Sequence, residues 1–169
     1  NYNFYQLCKI REFFIFDKEK TAAFHTRSDV CKKIVINLPS FKNKKLIRIL
    51  EPAVGSGNFL PYIFQKFKNK KVEIDLIDLD KNSLEILIIL LKKIKIPGNI
   101  KIKFINKNYF DYKISEKYDL IITNPPFGKI KPNEINKEIQ SISNKILTKN
   151  LYALFLYKSL QHTENIAFI

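Results

Sequence analysis

Hydrophobic and polar positions follow one another in blocks whose period switches between that of a helix and that of a strand. Residues 29–38 put Val30, Ile34 and Leu38 four apart on one helical face, with Ser28 placed to cap the start and Pro39 following the end. A short apolar run at 46–50 predicts a strand. Residues 57–67 return to the helical period, with Phe59, Ile63 and Phe67 on one face. Residues 72–78 predict a second strand and 81–94 a helix. The part of that helix over 84–91 is apolar nearly all round, which predicts packing on the sheet with cover on more than one side. Residues 100–105 alternate Ile and Lys before running apolar, a third strand near an edge; 118–123 predict a fourth, ended by Pro125 and Pro126. The Lys- and Asn-rich stretch 129–148 is expected to be a loop or a loosely packed helix. A helix at 151–160 and a fifth strand at 166–169 follow. Residues 1–20 are aromatic and basic without a clear period and form an N-terminal arm, so the domain proper is 21–169. Strands alternating with helices predict an α/β fold on a mostly parallel sheet with right-handed crossovers.

The loops between these blocks carry the chemistry. Glu51-Pro52-Ala53-Val54-Gly55-Ser56-Gly57-Asn58-Phe59 leaves the first strand and opens a helix, the edge of an open α/β sheet where ligands bind. Gly55 and Gly57 allow a tight turn and close approach of backbone to a ligand. The third glycine of a dinucleotide fingerprint is replaced by Leu60, and no Gly-Lys-Ser/Thr phosphate pattern is present. An acid at Glu51 suits a ligand bearing an ammonium group better than a pyrophosphate, which fits the aminocarboxypropyl group of S-adenosylmethionine. Asp78 lies 21 residues after Gly57, near the ~20-residue offset of a ribose-binding acid. Asp75 and Asp80 compete for that role. Asp80, just ahead of Lys81, is better placed to cap the next helix, and Asp75 lies mid-strand on a face open to solvent.

The fourth strand runs directly into Asn124-Pro125-Pro126-Phe127-Gly128. The prolines fix φ and end the ladder, leaving Asn124 at the strand tip. The Asn124 side-chain oxygen and the Pro125 carbonyl can then take the two hydrogens of one exocyclic –NH2 group, favouring a more tetrahedral, nucleophilic nitrogen, while Phe127 stacks on a base drawn from its helix. A sulfonium methyl group is already activated, so catalysis by positioning suffices, with no metal.

Composition narrows the setting. The chain of 169 residues suffices for one domain. Its apolar run at 86–91 is far short of the roughly 20 residues that span a bilayer, and the N-terminus lacks the apolar region of a signal peptide. Cys8 and Cys31 stand alone, and His25 and His162 have no companion at ligand spacing. That pattern predicts ordinary thiols in a reducing cytoplasm, with no zinc site and no disulfide framework. The net charge of +14 favours nucleic acid over membrane as partner, although abundant Lys, Ile and Asn also reflect an AT-biased composition. The absence of Met and the apolar end at Ile169 lead us to expect an incomplete chain.

Glu51-Pro52-Ala53-Val54-Gly55-Ser56-Gly57 together with Asn124-Pro125-Pro126-Phe127 resembles the amino-type DNA methyltransferases, specifically the N6-adenine enzymes of restriction–modification systems. The two motifs occur in that family's order. Phe24-His25-Thr26-Arg27-Ser28-Asp29-Val30 is similar to its N-terminal cofactor motif, with Thr26 matching the threonine and Arg27 standing where proline is usual. Lys107-Asn108-Tyr109-Phe110 is similar to the stretch beside the cofactor adenine; Tyr109 keeps the aromatic, and Asn108 replaces the acid with an amide oxygen that can still accept. The resemblance implies a Rossmann-like S-adenosylmethionine-dependent methyltransferase whose sheet stops at about five strands where the family has roughly seven. It implies methylation of adenine N6 in double-stranded DNA with the target base flipped out, and a target-recognition domain or subunit that is not apparent in these residues. Other readings of the same motifs are an RNA or protein-glutamine N-methyltransferase, or a non-catalytic fragment that binds nucleic acid or a partner subunit.

Overall fold

The computed structural model describes residues 26–169, together with Gln6. The expected N-terminal arm, and Phe24 and His25 of the N-terminal motif, lie outside the described residues. Five strands, β1 (Leu46–Glu51), β2 (Lys71–Asp78), β3 (Ile100–Asn106), β4 (Leu120–Thr123) and β5 (Ile166–Phe168), form one sheet in the order β3-β2-β1-β4-β5. Every pairing is parallel. Between them run helices α1 (Ser28–Asn37), α2 (Leu60–Lys66), α3 (Lys81–Lys92), α4 (Lys137–Ile146) and α5 (Leu151–Leu160), with 3₁₀ turns at Tyr109–Asp111 and Pro132–Glu134.

Strand alternation sorts the core into two layers. Ile47, Ile49, Leu120 and Ile122 face α1, α2 and α3, represented by Val35, Ile63 and Leu87. Leu50, Ile77 and Ile121 face the other way, onto Tyr109, Phe110 and residues of α4 and α5. Strands covered on both faces read as apolar runs, and all of β4 is buried. β3 lies at the sheet edge, as its exposed lysines predict.

Several elements differ from the sequence reading. The buried stripe of α1 is Cys31, Val35 and Leu38, rotated from the expected Val30–Ile34–Leu38 face, because the helix packs against α2. Its cap position is Arg27; Ser28 is already helical and bonds the Tyr62 hydroxyl. α2 starts at Leu60, since the chain is still turning through positive φ at Gly57. α3 buries one face, Leu84, Leu87 and Leu91, and leaves Ile86 and Ile89 exposed. Asp75 is held rather than solvated: the Tyr118 and Tyr112 hydroxyls donate to Oδ2 at 2.5 and 3.1 Å.

The Lys- and Asn-rich stretch is an ordered excursion whose neck is closed by main-chain pairing. Ile130 N–H donates to Lys149 O and Leu151 N–H to Gly128 O, both at 2.9 Å. Its helix α4 buries Ile139 and Ile142, is capped by Asn136 accepting from Ile139 N–H, and ends at Leu147 in the left-handed region.

Candidate active site

Parallel order makes the carboxyl ends of β1, β2 and β4 neighbours, with Leu50 level with both Asp75 and Ile121. The loops leaving those ends enclose a cavity of about 410 Å³. Thr26, Glu51, Ala53, Gly55, Asp78, Asn108 and Tyr109 of the expected cofactor set line it, and so do Asn124, Pro125 and Pro126 of the expected catalytic tip. Gly57 and Phe127 do not.

The glycine loop is fastened to β2. Val54 N–H donates to Ile77 O at 2.9 Å, and Gly55 N–H donates to Asp78 Oδ2 at 2.8 Å. Asp78 Oδ1 also accepts from Asp80 N–H at 2.9 Å. Asp78 therefore shapes the loop as well as facing the cavity. Asp80 caps α3, accepting from Asn82 N–H at 3.0 Å and Ser83 Oγ at 2.7 Å, as its place before Lys81 predicts. The two glycines divide the work. Gly55, at φ +50°, has open space where a Cβ would stand, on the cavity side. At Gly57, with φ +74°, a Cβ would meet Leu87 Cδ1 at 2.9 Å. Its conformation serves packing of the loop against α3, not approach to a ligand.

Glu51 is 2% exposed, and its Oε2 has no hydrogen-bond partner among the described residues. Burial first, and the neighbouring Asp78 second, push its carboxyl well above the ordinary value. A buried carboxyl with an unpartnered oxygen at a cavity wall fits a ligand group that is cationic and donates hydrogen bonds. An α-ammonium group meets both conditions, so the residues present fit the aminocarboxypropyl end of S-adenosylmethionine.

Thr26 joins the two loops. Asn58 Nδ2 of the glycine loop donates to Thr26 O, and Asn124 Nδ2 donates to Thr26 Oγ1, both at 3.1 Å. The second bond orients the Asn124 amide, with its nitrogen toward Thr26. Phe127, 39% exposed, stacks on Tyr152 of α5 (centroids 6.4 Å apart, planes at 19°), and Tyr152 meets Phe168 edge-on. The ring is thus carried by α5 and β5, next in sequence to Pro126 of the cavity lining.

On the opposite wall, Asn108 Oδ1 accepts from Phe110 N–H at 3.0 Å and closes the Tyr109 turn. The tertiary structure gives this oxygen a main-chain donor that the sequence reading did not assign. Tyr109 is 2% exposed; its ring packs on Phe110 and Phe155, and its hydroxyl pairs with Ser159 Oγ at 3.0 Å. Desolvation pushes the Tyr109 phenol far above its usual range, so it stays neutral.

Sequence reasoning missed several wall residues. Leu79, 72% exposed between two strand-end acids, lines the cavity with Ser83 and Lys107. An apolar residue in that polar turn was the available signal. Lys129, Ile130 and Lys131 of the excursion, and Phe155 of α5, line it as well; only folding brings these to the site.

Comparison with known proteins agrees with this geometry. The family model described as "Eco57I restriction-modification methylase" matches residues 9–169. The type II methyltransferase M.VspI of Vibrio sp. (strain 343) is 29% identical over 147 residues, covering 85% of this chain and 35% of that protein. M.AccI of Acinetobacter calcoaceticus, another type II methyltransferase, is 32% identical over 123 residues, covering 70% of this chain and 22% of its own length. The chain thus spans about a third or less of these curated relatives. Among solved structures, a candidate class I S-adenosylmethionine-dependent methyltransferase from Listeria monocytogenes superposes with TM-score 0.67 at 14% identity, covering 99% of this chain and 54% of the other. A type I restriction-modification methyltransferase subunit from Streptococcus thermophilus superposes with TM-score 0.64 at 17% identity, covering 86% and 34%. The fold is the Rossmann-like one of class I S-adenosylmethionine-dependent methyltransferases, and the chain belongs to the Eco57I restriction-modification methylase family.

Proposed function

We propose that this chain forms the cofactor-binding and catalytic core of an S-adenosylmethionine-dependent methyltransferase acting on the N6 amino group of adenine in DNA. The observation that carries the reading is one shared cavity, lined by buried Glu51, the glycine loop and the Asn124-Pro125-Pro126 tip together. The restriction-modification description of the family model and the +14 charge support DNA as the polymer.

S-adenosylmethionine, when bound, supplies an activated methyl group. Glu51 binds the ammonium end, with the Gly55 backbone beside it. Asp78 takes the ribose hydroxyls with the same carboxylate that accepts from Gly55 N–H and Asp80 N–H. Tyr109 and Leu79 give the cavity apolar surface on which a purine rests. At the tip, the Asn124 oxygen and the Pro125 carbonyl accept the hydrogens of the substrate amine and hold its lone pair toward the cofactor side. Phe127 meets the extruded adenine. A target-recognition domain or subunit selects the sequence.

The test offers labelled cofactor with duplex DNA, RNA or a glutamine-bearing release-factor peptide. Label is expected in DNA, as N6-methyladenine. Label in RNA or peptide alone sinks the DNA reading. Asn124→Ala is expected to abolish transfer while S-adenosylhomocysteine binding, measured by calorimetry, persists; an equal loss of binding would make Asn124 structural.

A further inference from the structure

We propose that Lys158 is a positioning residue: a single buried ammonium bolts the Tyr109 turn to α4 and α5 and thereby sets how tightly the cavity holds its cofactor. The inference rests on the cofactor reading of that cavity. Lys158 lies on α5 and is 2% exposed. A cation so buried is costly unless it is paired and its donors are all used. Its three N–H donors meet three acceptors. Glu138 Oε1 of α4 stands at 2.7 Å, Tyr112 O at 3.1 Å and Phe110 O at 3.3 Å. The ammonium also sits 4.9 Å from the centre of the Tyr109 ring.

The elements joined here are those that build one wall. The Tyr109–Asp111 turn brings Asn108, Tyr109 and Phe110 to the cavity, and α5 brings Leu151 and Phe155. A 3₁₀ turn of three residues has little hydrogen bonding of its own, and its last carbonyls need outside donors. Lys158 supplies two of them. Its neighbour Ser159 holds the Tyr109 hydroxyl, and Asn136 Nδ2 donates to Asp111 Oδ1 at 2.6 Å, a second tie from the excursion to the same turn.

Loss of the charge is separable from loss of the fold. Lys158→Met keeps the length and packing of the stem, and its partner Glu138 has a side chain 43% exposed that water can solvate. The change removes one partner of the ion pair and two donors to main-chain carbonyls, so some loss of stability accompanies it. S-adenosylhomocysteine is titrated calorimetrically into the full chain, with thermal melting of the unliganded protein alongside. The expected result for Lys158→Met is a Kd about tenfold weaker, measured at a temperature where the variant is fully folded, together with a lowered melting midpoint. Glu138→Gln is expected to weaken binding in the same direction, and it carries the test if Lys158→Met does not fold. A lower midpoint with unchanged Kd in the folding variants makes the contact purely stabilising and overturns the proposal. Failure of the unaltered chain to bind S-adenosylhomocysteine overturns the cofactor reading itself, and is told apart by needing no variant.

Discussion

Glu51 shows how one side chain couples stability to ligand binding. The folded chain holds the Glu51 proton more tightly than the unfolded chain does, through burial and through Asp78. The sign follows from linkage: this group's contribution is most favourable below the ordinary carboxylate range, falls as pH rises through it, and levels off above the raised folded value. Glu51→Gln removes that penalty, so its unliganded melting midpoint is expected to exceed that of the unaltered chain near neutral pH and to match it below about pH 4. A ligand ammonium favours the ionised form, so calorimetric affinity for S-adenosylhomocysteine should rise with pH in the unaltered chain and lose that rise in Glu51→Gln. The glycines separate in the same experiments. Gly57→Ala drives a Cβ into Leu87 and strains a left-handed backbone, a loss of about 2–4 kcal/mol in denaturant unfolding. Gly55→Ala has room, so it costs only about 1 kcal/mol of backbone strain, and its larger effect is expected on cofactor affinity.

The excursion that includes α4 is the element least legible in advance. Its Lys and Asn content suggested a loop or a loosely packed helix, yet Ile135, Ile139, Ile142 and Ile146 recur at spacings of four, three and four, the stripe of a well-packed helix. The stripe is real because α5 and the Tyr109 turn offer it an apolar partner, and Ile139 ends with no exposed surface. Ile139→Ala is expected to cost about 2–4 kcal/mol in chemical unfolding. Asn136→Ala removes both the cap and the bond to Asp111, and should cost about 1–2 kcal/mol. By contrast β2 and β3 were plain in the sequence, since each turns apolar residues inward at the strand period. The α1 stripe was misplaced by one position because its buried face is chosen by α2, which the local pattern does not contain.

Across the whole molecule, charge and topology act together. Sheet order brings the ends of β1, β2 and β4 side by side, so loops 65 or more residues apart in sequence, as Asn124 is from Phe59, share one cavity. Lys129 and Lys131 place exposed positive charge on its wall, beside the Asn124 tip. With a net charge of +14, duplex binding measured by fluorescence anisotropy should weaken by an order of magnitude or more between about 50 and about 200 mM salt. Asn124→Ala should leave that salt dependence unaltered, because the role proposed for it is at the amine and not at the phosphates.

Sequence alone determined the alternation of strands and helices, the two loops that carry chemistry, their order, and their place after β1 and β4, because period, glycine and proline act locally. Tertiary structure decided the rest. It showed that Thr26 bridges the two loops, that Gly57 packs while Gly55 faces the cavity, and that Asp78 and Asn108 already hold main chain. It also brought the excursion to the cavity and Lys158 up against the Tyr109 turn. Each of those assignments depends on which group lies across the space from a residue, and that distance is set by packing, not by position along the chain.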